Sequence, residues 1–156
     1  MSSLIQSIQN QDLASLESEL KAGSNPNAVD ADGQLALIFA AETGNLPAIN
    51  QLLVHGADPD GTDADGWTPL MEAAAANQTE ILQALLANGA NLNATTQFGL
   101  TALMAAAAKG AIATATLLLE HGADLNAKDQ NNWTALIWAA DNKQTEMVEL
   151  LKQART

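Results

Sequence analysis

One interval governs this sequence. Gly23, Gly56, Gly89 and Gly122 stand 33 residues apart, as do Gly33, Gly66 and Gly99, with Asn132 in the next place. Leu4, Leu37, Leu70, Leu103 and Leu136 form a third series in the same register, and no insertion breaks the spacing. A period of this size marks a supersecondary unit repeated along the chain. Each unit is too small to bury its apolar face alone, so stacked neighbours must share one continuous core.

The residues inside one period say what the unit is. It opens on a turn segment such as Asp63-Ala64-Asp65-Gly66. Aspartate bonds its own backbone there, and glycine tolerates positive φ. Thr68-Pro69-Leu70 follows, a threonine N-cap and a proline preorganised for the first helical turn. Thr101 and Thr134 repeat the cap without the proline, and Leu35 replaces it in an earlier unit. After a short alanine-rich helix, the polar turn Ala76-Asn77-Gln78-Thr79 leads to a second helix. Its Ile81, Leu82, Leu85 and Leu86 fall on one face, and Gly89 sits where a C′ glycine ends a helix.

The stretch from Asp65 through Gly66-Trp67-Thr68-Pro69-Leu70 to Ala74, closed by Leu85-Leu86-Ala87-Asn88-Gly89-Ala90-Asn91, resembles an ankyrin repeat. His55-Gly56-Ala57-Asp58 and His121-Gly122-Ala123-Asp124 match the second half of that family's signature, and the resemblance covers essentially the whole chain. It implies an all-α solenoid of five stacked helix pairs with short β-hairpin loops. The expected organisation is a single ankyrin-repeat domain: a cap over 1–23, repeats over 24–56, 57–89 and 90–122, and a cap over 123–156, with no linker, tail or second domain. Ile38, Met71, Met104 and Ile137 stand where the family signature has histidine. Apolar packing between repeats is expected to replace the hydrogen bonds of that histidine. Ser7 in place of the alanines at 40, 73, 106 and 139, and Lys152 in place of the leucines at 53, 86 and 119, read as the polar changes that capping units need.

Composition narrows the function classes. No apolar run approaches the ~20 residues of a membrane span, Met1 to Asn10 does not read as a signal peptide, and the chain has no cysteine. A cytoplasmic monomer is expected. The net charge is −12, and it is lopsided. Residues 1–80 hold twelve acids and one base (Lys21), giving −11, whereas residues 81–156 hold six acids and five bases, giving −1. Such a field repels phosphate backbones and argues against nucleic acid. Surplus acid also serves solubility alone.

The resemblance implies a concave face of hairpin tips and first helices, and protein binding through it. Aligned by register, that face carries Phe39, Trp67, Glu72, Phe98, Leu100, Trp133 and Trp138, which include every tryptophan and phenylalanine of the chain. Aromatic side chains on a polar or small-residue surface are the usual anchors of interfaces. Trp67 and Trp133, just after the hairpin glycine position, have an alternative role packing along their own hairpins. The leading expectation is an interaction module acting as adaptor, inhibitor or immunity-type antagonist. The other is an acidic decoy for a basic protein, working through Asp30, Asp32, Asp58, Asp60, Asp63 and Asp65. The second helices, with leucine pairs such as Leu85 and Leu86, read as scaffold. So do the alanine runs at 73–76 and 105–108, which let helices approach closely.

Catalysis, cofactors and metals find no support. A calcium loop with Gly66 at its sixth position would put Gly61, which has no ligating side chain, at its first. His55 and His121, the only histidines, lie two repeats apart and read as helix C-terminal residues. No glycine-rich phosphate loop and no nucleophile–base–acid set is present.

Overall fold

The computed structural model describes residues 3–155. Met1, Ser2 and Thr156, which the expected cap boundaries include, lie outside the described residues. Among the described residues, ten helices run in five consecutive pairs: α1 (Ser3–Gln9) with α2 (Leu13–Lys21), α3 (Ala36–Glu42) with α4 (Leu46–Val54), α5 (Pro69–Ala75) with α6 (Thr79–Ala87), α7 (Ala102–Lys109) with α8 (Ile112–Glu120), and α9 (Ala135–Asp141) with α10 (Thr145–Ala154). First helices pack side by side in one layer and second helices in another, with the core between them. The first-helix layer is the tighter one. Its interior positions are alanines with no exposed surface, among them Ala40, Ala73, Ala74, Ala106 and Ala107.

The core follows the sequence pattern. Leu16, Leu52, Leu82, Leu85 and Leu118 of the second helices are fully buried, and each contributes about 2 kcal/mol by leaving water. Ile38, Met71 and Met104 are all nearly fully buried, as expected of apolar residues wedged between neighbouring units. Ile137, the fourth of that set, is instead 40% exposed on the outer side of the last pair. Ser7 also departs from expectation. It is buried, and its hydroxyl donates to Glu19 Oε1 at 2.7 Å while Ser3 donates to Oε2, a clasp that ties α1 to α2.

Among the described residues, every helix from α1 to α9 ends in the same way. At Gly89, φ is +88°, its N–H donates to Leu86 O, and the Ala90 N–H reaches back to Leu85 O. That is a Schellman motif, and the left-handed residue at its centre is why glycine recurs at this place. The turn between paired helices repeats the motif at 11, 44, 77, 110 and 143, where Gln11, Asn77 and Lys143 adopt positive φ without being glycine. Of the threonine caps, Thr68 and Thr101 accept from Met71 N and Met104 N at 3.2 Å. Thr134 makes no capping bond, and Leu35 has no side-chain acceptor to offer. The N-cap of α8 is Ala111, which has no capping side chain either, and the helix borrows one: Asn77 Oδ1 of the preceding pair accepts from Thr114 N at 3.2 Å.

The hairpins are minimal. Among the described residues the only bridge pairs Val29 with Leu35. Each tip is held by its first residue. Asp30, Asp63, Thr96 and Asp129 accept, through one side-chain oxygen, the N–H groups two and four residues on. Successive tips are stitched by backbone bonds, Gln97 N to Asp65 O and Gln130 N to Phe98 O. At Gly66 the next tip lies so close that a Cβ would meet Gln97 N at 3.1 Å. A second ladder runs along the connecting loops, where Asn27, Asp60 and Asn93 each accept, through Oδ1, an N–H of the following unit.

Candidate functional site

The first-helix layer and the hairpin tips form a face whose main recess has a volume of about 510 Å³. Trp67 and Glu72 make one wall and Trp138 the opposite one; the floor is Leu100, Met104, Ala105 and Ala108 of the intervening unit. Ala75, Lys109 and Asn142 complete the rim. The register explains the shape. Glu72, Ala105 and Trp138 occupy equivalent positions on α5, α7 and α9, so a methyl group stands between two long side chains. The alanines at 105 and 108, read from sequence as packing residues alone, therefore also create this recess.

Four of the seven aligned face residues, Trp67, Glu72, Leu100 and Trp138, converge on this cavity. The other three do not line it. Phe39, half-buried, lines a separate small cleft with Ile8 and Thr43. Phe98 projects from its tip and is 53% exposed. Trp133 packs edge-on against Trp138, with ring centroids 5.1 Å apart and an interplanar angle of 67°. Trp133 thus rests on a helix residue of its own unit, outside the recess. Trp67 is held against its own helix but still forms part of the cavity wall.

Two indole–carboxylate bonds fix the walls. Trp67 Nε1 donates to Glu72 Oε2 at 2.9 Å. Trp138 Nε1 donates to Asp129 Oδ2, also at 2.9 Å. Burial in the cavity wall raises the Glu72 pKa above the ordinary glutamate value; the Trp67 N–H opposes the shift, and the nearby Glu42 carboxylate adds to it. Lys109 acts on Glu72 in the opposite direction, yet among the described residues no cation approaches Glu72 within ion-pair distance. Gln34, equivalent in register to Trp67, donates through Nε2 to Glu42 Oε2 at 2.8 Å.

The acidic set separates into two kinds. Asp30 and Asp63 are part-buried turn residues, Asp58 accepts from Asp60 N within its own loop, and Asp60 accepts from Asn91 N of the next unit. Asp32 and Asp65 stand exposed at the tips. Most of the aspartates that lend the amino-terminal half its charge are thus also structural acceptors. His55 and His121 are C-cap residues whose Nδ1 donates to the carbonyl four residues back, at 2.9 and 2.8 Å, and Asn88 does the same through Nδ2. Among the described residues, no group of three or more metal-ligating side chains converges, and no helix is long and apolar enough to cross a membrane.

Comparison with known families agrees with this architecture. The profile of ankyrin repeats, three copies long, matches residues 4–96 and again 88–155. No individual curated protein matches the chain. Ankyrin repeats are in general protein–protein interaction modules and typically not enzymes. With its unbroken register, its five stacked helix pairs and a profile match spanning nearly all of its length, this chain belongs to the ankyrin-repeat family.

Proposed function

We propose that this protein binds a partner polypeptide through the face of first helices and hairpin tips, with the Trp67–Trp138 cavity as the anchor site and Phe98 as a second contact. The cavity carries the reading. It is apolar at its base, walled by two indoles and rimmed by polar groups, the arrangement in which a few buried anchors supply most of an interface's free energy. Phe98, an aromatic ring more than half exposed on a tip stitched to both its neighbours, adds preorganised apolar surface. The adaptor, inhibitor and immunity-type roles all use such a face.

Affinity capture from extracts of the source cells tests it. Ala108→Arg fills the recess from a half-buried position, and Phe98→Ala removes the tip ring; both should lose the partner that the wild type retains. Val54→Arg, on a second-helix residue that is 82% exposed, should keep it. Equal capture by all four proteins would defeat the proposal. The acidic-decoy reading predicts a different pattern, in which Asp32→Asn with Asp65→Asn abolishes capture and moderate salt does the same.

A further inference from the structure

We infer that the Trp67–Glu72–Trp138 cavity is a receptor for a cationic side chain, an arginine of the partner, rather than for a purely apolar anchor. This inference rests on the protein-binding reading above and specifies what enters the site. Glu72 is half-buried beside an apolar floor, yet it receives a single hydrogen bond, from Trp67, and has no cation at ion-pair distance among the described residues. A carboxylate so placed bears a desolvation cost that an incoming guanidinium would offset. The walls suit that group in particular. Guanidinium is planar and weakly hydrated, stacks on indole faces and donates in a fork that a carboxylate accepts. Its aliphatic stem would lie over Leu100 and Ala105.

Charge on the surrounding elements favours the same occupant. Glu42 lies close enough to act on Glu72, and so does Asp63. The excess of eleven negative charges over residues 1–80 would steer a basic segment toward this wall. Lys109 is the one basic residue of the cavity. Its residue is exposed, and it makes no ion pair with Glu72. The ammonium can therefore stay in water at the rim while the stem contributes to the lining. The carboxylate of the opposite wall, Asp129, is nearly fully buried and already occupied by three N–H groups, so Glu72 alone is open to a ligand.

The test follows the three tryptophan indole N–H signals by nuclear magnetic resonance, assigned with single Trp→Phe variants, while the intact protein is titrated separately with the acetylated amides of arginine, citrulline and norleucine. Citrulline keeps the size and planarity of arginine and a fork of N–H donors, but exchanges one amino group for a carbonyl oxygen and lacks the charge. The arginine amide should shift the Trp67 and Trp138 signals and bind about fivefold or more tightly than the citrulline amide. Glu72→Gln should bring arginine down to the citrulline level. Glu80→Gln, on the exposed face of α6, should leave the preference intact, and a matched unfolding midpoint establishes that Glu72→Gln is folded. Equal binding of arginine and citrulline, an unchanged preference in Glu72→Gln, or no shift with any amide would overturn the inference. Tightest binding by norleucine would also overturn it, while leaving an apolar anchor site and hence the protein-binding reading in place.

Discussion

Two tryptophans donate to two carboxylates across the recess at the same 2.9 Å, yet the two pairs do different work. The wiring is reversed. On one wall the indole of Trp67 precedes the helix and Glu72 sits on it. On the other, Asp129 opens the hairpin and Trp138 sits on the helix. Asp129 is 6% exposed and accepts from Asn131 N, Trp133 N and Trp138 Nε1, so its charge is consumed in holding a turn to a helix. Glu72 accepts from one donor and faces the cavity. The difference teaches that an indole–carboxylate bond does not define a role. What separates scaffold from site is how many donors the carboxylate already has and whether it remains accessible.

Removing the structural carboxylate should have the largest effect. Asp129→Ala leaves two backbone N–H groups and an indole N–H without their acceptor, and should lower the unfolding free energy by about 3 kcal/mol in urea titrations. A loss no greater than that of an average surface substitution would mean the two pairs are equivalent after all. Trp138→Phe keeps a ring on the wall but takes away the donor to Asp129 Oδ2; about 1 kcal/mol should be lost. Glu72→Gln, the matching change on the open wall, should alter stability at neutral pH by no more than about 0.5 kcal/mol, because the amide can still accept from Trp67.

The pH dependence sharpens the comparison further. Burial raises the folded pKa of Glu72 above its ordinary value of 4.5, so over the window between the two the folded protein holds more proton than the unfolded chain. Stability from this group is therefore present in full below 4.5 and is lost as pH rises through the folded pKa. The stability of the wild type relative to Glu72→Gln should accordingly improve as pH falls toward 4.5, a small trend to be followed by denaturant midpoints at several pH values. The opposite slope would mean that Glu72 has a cation partner in solution.

Parts of the site could be read from the register. Trp67, Glu72, Leu100 and Trp138 align on one face because a strict 33-residue spacing makes equivalent positions spatial neighbours. The recess itself was missed, although its cue was present. The series Phe39, Glu72, Ala105, Trp138 has one small member between two large ones, and a gap follows from that order. Other features could not be seen in a single unit. Asn77 caps the helix of the next pair, and Thr114, fully buried, donates to Ala74 O at 2.7 Å across the same boundary. Both bonds join residues more than a full period apart, and neither partner's local sequence calls for the other.

Helix type, helix ends and the stacked order followed from the chain alone, because capping, αL turns and an apolar stripe are local properties that the period then copies. Exposure and occupancy were decided by packing. Ile38, Met71 and Met104 are buried by a following unit and Ile137 is not, though all four hold the same register. Likewise only the assembled fold determines that Asp129 is saturated with donors while Glu72 is left open, since both outcomes depend on which side chains a neighbouring helix brings within a few ångströms.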